Sequence, residues 1–280
     1  MKDTLPPREE LVRRVVFESF GARIRLESNS EDLFEKALQR ARKALLGHIR
    51  IIDKSDETEV DFRFGLGLDD HGIKWLDQDG LKTSYDGADF IFFKTFDAMV
   101  RLRVAENAAN RVFVHAGVVG WRGRAVMVPA LSHKGKSTLV AELIRNGAEY
   151  YSDEYALLDK TGRVHPFPRD LMIRRSGKDR TEQLLPPGHF GGSIGRKSIR
   201  VGAVLFTEYQ KGAKWTPTQL TIGQGIMETI PHTIPVHLDP EFSLEVLNKA
   251  YKGAIIAKSF RGDAKHACPK ILAFLDDHLN

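Results

Sequence analysis

The chain has 280 residues, 42% of them hydrophobic and 28% charged, which suits one large or two small globular domains. A single cysteine, Cys268, excludes an internal disulfide and a cysteine-built zinc site. The net charge is +5, no apolar run reaches the length of a membrane span, and the first residues lack the apolar core of a signal peptide, so the expectation is a soluble cytoplasmic protein that engages no membrane.

Arg13 to Glu27 is rich in Val, Phe and Ile and reads as a strand. Ser30 is a good N-cap for a helix whose apolar residues Leu33, Phe34, Ala37, Leu38, Ala41 and Leu45 keep a helical period up to Gly47. Val60–Phe64 alternates as a strand does, and Ile73–Leu76 and Leu81–Tyr85 read as strands around an Asp79-Gly80 turn. Ala88–Ala109 is a long helix. These elements define a smaller N-terminal α+β region, residues 1–110.

The second region, residues 111–280, opens on the strand Arg111–Gly120. Trp121–Arg124 turns it into a second strand, Arg124–Pro129. Next comes Ala130-Leu131-Ser132-His133-Lys134-Gly135-Lys136-Ser137-Thr138, close to the phosphate-loop pattern G-x-x-x-x-G-K-[ST], with Ala130 in place of the first glycine. A helix from Thr138 to Arg145 follows, with Leu139, Leu143 and Ile144 on one side and Asn146-Gly147 as its stop. Strand, loop and helix in this order point backbone N–H groups and the positive helix end at an anion. The segment from Ser132 to Thr138 is therefore expected to hold a nucleoside triphosphate with Mg²⁺. Lys136 would sit on the terminal phosphates and the Ser137 hydroxyl on the metal, while Lys134 would add a second cation beside the unusual His133.

Asp153-Glu154 follows the helix and a short strand. Such a pair beside the phosphates can hold Mg²⁺ or take a proton from an attacking hydroxyl, and the residues alone do not say which acid does which. His115 lies mid-strand and reads either as a core histidine or as a group near the phosphates. Tyr155–Asp159 and Arg163–Phe167 read as strands. Between Lys160 and Arg200, ten basic residues face three acidic ones, a pattern that suits an anionic ligand; interleaved aromatics are lacking, so nucleic acid is not the expected partner. Ser176–Ser198 reads as a mobile loop. Ile199–Phe206 and Ala254–Ala257 read as strands, and Gln224–Thr229, Phe242–Tyr251 and Asp263–Leu279 as helices. Arg261 would either clamp a phosphate or form a surface salt bridge with Asp263.

Three segments together resemble the HPr kinase/phosphorylase-like family: Phe113-Val-His-Ala-Gly-Val-Val, the loop Ala130–Leu139, and Gly147–Asp159 with its Ser-Asp-Glu centre. The resemblance covers about Val112 to Arg174. It implies an α/β P-loop kinase domain of HPr kinase/phosphoenolpyruvate carboxykinase type, using ATP and Mg²⁺ to phosphorylate a serine-type hydroxyl. Lys136 and Ser137 correspond to the phosphate and Mg²⁺ ligands, Asp153 and Glu154 to the family's acidic pair, and His115 to its histidine. Asp153 is the expected general base. Ala130 and His133 replace loop glycines, and Ser193–Val201 differs from the glycine-rich stretch used for HPr recognition. The expected acceptor is therefore a hydroxyl on another peptide, small protein or small molecule, and a homo-oligomer stays open. The alternative is an ATP-binding regulator without phosphoryl transfer, to which the altered loop glycines point.

Overall fold

A computed structural model describes residues 13–52, 59–130, 135–174 and 182–279. The chain divides into two compact units, Met1–Asn110 and Arg111–Asn280. Both are mixed α/β, with six α-helices among the described residues. None of these helices is long and apolar enough to cross a membrane.

In the first unit, β1 (Arg13–Ser19) and β2 (Ala22–Ser28) pair antiparallel, where a single strand was expected. The turn is made by Phe20 and Gly21, at φ 52° and 87°. Two successive left-handed residues match the twist of a two-residue hairpin. Phenylalanine rarely takes that role, so the apolar pattern reads straight through it. α1 (Glu31–Ala44) starts where the Ser30 side chain accepts from the Leu33 N–H. β3 (Arg50–Ile51), β4 (Phe62–Leu68), β5 (Lys74–Gln78), β6 (Leu81–Tyr85) and α2 (Asp89–Asn107) follow. The sheet order is β3-β1-β2-β4-β5-β6, with only the β2–β4 pair parallel. Both helices bury phenylalanines (Phe34, Phe92, Phe96) in one core with Phe17, Ile24 and Leu26 from the sheet.

The second unit runs β7 (Arg111–Trp121), β8 (Arg124–Pro129), α3 (Lys136–Arg145), β9 (Glu149–Ser152), β10 (Tyr155–Asp159), β11 (Arg163–His165), β12 (Leu171–Arg174) and β13 (Glu182–Leu185). It continues with β14 (Ile199–Tyr209), β15 (Thr218–Gln219), α4 (Ile222–Thr229), α5 (Pro240–Tyr251), β16 (Ile255–Arg261) and α6 (Ala264–His278). The large sheet has the order β11-β10-β7-β8-β14-β16-β15, with β9 also on β7. β8, β14 and β16 are mutually parallel. β11 turns back to pair with β14 through Arg163↔Arg200 and Val164↔Ile199, closing a five-strand circuit.

Alternate residues of β8 and β14 feed two cores, as the two-residue period of a strand dictates. Val126, Val128 and Leu205 pack with Leu139 and Leu143 of α3 and Ile271 of α6. Met127 and Val204 pack with Val246 and Leu247 of α5. The described part of the expected mobile loop is more ordered than its Gly and Pro content suggests. It contains β13, paired with β12, and a 3-10 turn at Pro187–Phe190 whose Phe190 is buried beside α3. The expected strand Ala254–Ala257 begins one residue later and runs on to Arg261, so Arg261 ends a strand rather than following one.

Candidate functional site

The site is built where β8 hands over to α3. Ser132, His133 and Lys134, expected to line the phosphate loop, lie outside the described residues. The loop's last residue, Gly135, sits in the left-handed region at φ 83° and forms the N-cap of α3. This conformation favours glycine, because a side chain there would crowd its own carbonyl. A Cβ would also come within 2.8 Å of Arg261 Nη2. No side chain among the described residues caps the helix, so its first amides stay available to an anion. Thr138, in that first turn, is exposed.

α3 lies close on β7 because position 117 has no side chain. A Cβ at Gly117 would meet Val140 Cγ2 at 2.5 Å and Lys136 Cγ at 3.2 Å. The glycine of the His-Ala-Gly strand thus sets how near Lys136 stands to the sheet.

Lys136 and Ser137 converge on Asp153, in the turn between β9 and β10. The Lys136 ammonium donates to the Asp153 backbone carbonyl. The Ser137 hydroxyl hydrogen-bonds the Asp153 carboxyl. Asp153 is only 8% exposed. Burial raises its pKa, against the opposing charge of Lys136 and the Ser137 bond. Burial likewise lowers the pKa of Lys136, while Asp153 and Glu154 pull it back up. Asp153 Oδ1 is buried with no hydrogen-bond partner among the described residues. An oxygen in that state, beside the Ser137 hydroxyl, fits a hard cation. No group of three or more His, Cys, Asp or Glu side chains that could hold a metal ion occurs among the described residues. Mg²⁺ bound together with phosphates needs only one or two protein oxygens, so Ser137 and Asp153 fit that role.

Glu154, the second acid, is held in an ion pair. Its Oε2 accepts from Arg169 Nη1 at 2.7 Å. The Tyr150 hydroxyl donates to the Arg169 carbonyl at 2.5 Å, fixing that segment against β9. Arg169 was not singled out from the sequence; it was one of ten basic residues in its window, and nothing local marks which of them reaches back fifteen positions.

His115 faces the loop from β7, where it pairs with Tyr155 of β10. It hydrogen-bonds the Ala130 backbone carbonyl, at the position where the loop pattern has its first glycine. Burial, and then the Lys136 charge, lower its pKa to about 4. The imidazole is therefore neutral at neutral pH. Because the unfolded chain binds this proton near pH 6.5 and the folded chain does not, stability is intact above pH 6.5 and is lost as pH falls toward 4. The expected loss is about 3 kcal/mol, and His115→Gln is expected to flatten that part of the profile. Urea unfolding of both proteins between pH 7 and pH 4 measures it; identical profiles would refute the assignment.

Arg261 neither meets solvent nor forms the surface salt bridge considered for it. It is 2% exposed, and Asp263 instead caps α6 through the Lys265 N–H. Its Nη2 donates to the Gly135 carbonyl at 2.6 Å and its Nη1 to the Gly262 carbonyl at 3.0 Å. It is a tether for the loop's end.

No protein-family model matches the sequence, and no curated protein matches it either.

Proposed function

We propose that this chain is a kinase that transfers the γ-phosphoryl group of Mg²⁺–ATP to a serine-type hydroxyl on a peptide, small protein or small molecule. In this reading the second unit is a P-loop kinase domain of HPr kinase/phosphoenolpyruvate carboxykinase type. The observation that carries the reading is the convergence of Lys136, Ser137 and the buried carboxyl of Asp153 at the N-terminus of α3, which no side chain among the described residues caps.

In this reading the first amides of α3 and the Lys136 ammonium hold the triphosphate. Ser137 and Asp153 would hold Mg²⁺, which supplies charge neutralisation at the phosphate oxygens. Asp153 accepts the proton of the acceptor hydroxyl, whose oxygen attacks the γ-phosphorus. The bond from that phosphorus to the bridging oxygen breaks, and ADP leaves. A raised carboxyl pKa makes Asp153 a stronger base than a solvated aspartate. Glu154, held by Arg169, adds negative potential that, after that of Asp153, favours the charged form of Lys136 against its burial.

Incubation with γ-labelled ATP, Mg²⁺ and a serine-containing peptide library or small alcohols tests the reading. Wild type is expected to label an acceptor, and Lys136→Ala to lose at least about a hundredfold in rate. Label transfer that survives Lys136→Ala would sink the assignment.

A further inference from the structure

The sheet of the first unit has two edges of different kinds. β3, at one end, is two residues long, and its Arg50 is tied to Glu18 at 2.9 Å. β6, at the other end, is a five-residue strand, and among the described residues no strand pairs with its outer side. Such an edge presents N–H and C=O groups on which another chain can form a strand, and proteins commonly blunt it with charge, proline or a bulge. β6 has no proline and pairs with β5 in unbroken register. Its one charged residue, Lys82, is folded back over the Trp75 ring, the ammonium 5.0 Å from the ring centre.

Apolar surface lies at both ends of this edge. Leu81 is 70% exposed, and Phe90 and Ile91, in the first turn of α2, are 71% and 60% exposed. Thr83 stands opposite the core residue Leu76, so Leu81, Thr83 and Tyr85 share the face that the helices cover. The Tyr85 ring meets Phe92 edge-on with centres 5.4 Å apart, and Lys74 holds Asp89 at 2.9 Å, so α2 starts at the Tyr85 end of the strand. Leu81 is at the other end, about 13 Å along an extended chain. One copy therefore does not cover its Leu81 with its own Phe90 and Ile91. A second strand running the opposite way brings the two ends together.

We propose that β6 pairs antiparallel with β6 of a second copy of this chain, about a two-fold axis at Ser84. Every contact across such an axis is made twice. With Ser84 on the axis, Lys82 stands opposite the second copy's Asp86, Thr83 opposite its Tyr85, and Leu81 opposite its Gly87, where its α2 is about to begin. Lys82 and Ser84 share the face of Trp75, and one more step of the alternation puts Asp86 there. Two opposite-charge pairs result, one on each side of the axis. An axis at Thr83 would leave Lys82 against an uncharged serine, and an axis at Lys82 would set two ammonium groups face to face. The pairing uses the first unit alone and does not rest on the kinase reading.

Sedimentation equilibrium of the full chain at micromolar concentration is expected to show a dimer. Lys82→Asp and Asp86→Lys each set like charges across the axis and are expected to raise the dimer dissociation constant at least about tenfold. The double variant Lys82→Asp/Asp86→Lys restores opposite charges and is expected to return to within about threefold of wild type. Should Lys82→Asp fail to fold, Asp86→Lys decides, because Asp86 is exposed: a weaker dimer supports the pairing and an unchanged one overturns it. A monomeric wild type leaves the edge to another occupant and overturns the proposal. A dimer that neither single variant weakens lies elsewhere on the surface and overturns it too. Weakening by both single variants without recovery in the double overturns the register at Ser84 and the proposal with it.

Discussion

Asp153→Asn is expected to reduce phosphoryl transfer by about 10² to 10⁴-fold while ATP binding persists. The two effects separate because the side chain and the backbone of this residue do different work. The Lys136 ammonium bonds the backbone carbonyl, which the substitution keeps. The carboxyl, buried and raised in pKa, is the part that can take a proton. Asparagine preserves shape and an oxygen for the Ser137 hydroxyl but has no basic site at neutral pH. It also weakens one of the two oxygens that would hold Mg²⁺, so affinity for Mg²⁺–ATP is expected to fall, but by much less than the rate. Rate and affinity measured on the same preparation decide the matter. A rate within a few fold of wild type would remove Asp153 from the chemistry. A loss of binding as large as the loss of rate would make it a metal-site residue and not the base.

Arg261→Met is expected to weaken ATP binding by about 10- to 100-fold with little change in global stability. A hydrogen bond from a charged donor to a carbonyl contributes about 1.5–3 kcal/mol, and here that bond holds the Gly135 carbonyl at 2.6 Å. Global stability responds less, because burying a guanidinium already carries a desolvation cost and an apolar side chain of similar length fills the space. Burial lowers the pKa of Arg261, the sign of that cost. Without the tether, Gly135 can rotate away from φ 83°, and the first amides of α3 lose their common aim. Melting temperature and nucleotide titration together test this. Unchanged affinity in a folded variant would show that the loop's end needs no support from β16.

What could be read in the sequence was local. Gly135-Lys136-Ser137 and the apolar period of α3 lie within one turn-and-helix unit, so spacing alone places them. Asp153-Glu154 is also legible, because a short helix and a short strand leave little freedom in where the next residues fall. The remainder depends on partners distant in sequence. Arg261 reaches Gly135 across 126 positions, and Arg169 reaches Glu154 across fifteen. No periodicity marks either pair, since each depends on which strands lie side by side. The hairpin of β1 and β2 was missed for a different reason. Gly21 gave a turn signal, but a phenylalanine at its first position hid it.

The circuit formed by β7, β8, β10, β11 and β14 has a consequence for how the second unit comes apart. An open sheet can be peeled strand by strand from a free edge. Here β11 meets each of its neighbours, β10 and β14, over only two residue pairs, fewer than any other seam in the ring. Opening therefore starts most cheaply at β11, which does not pair with β8, the strand that enters the loop. The wider seams of β8 with β7 and β14 give way only after β11 has parted, so local breathing of the ring spares the residues that would grip the phosphates.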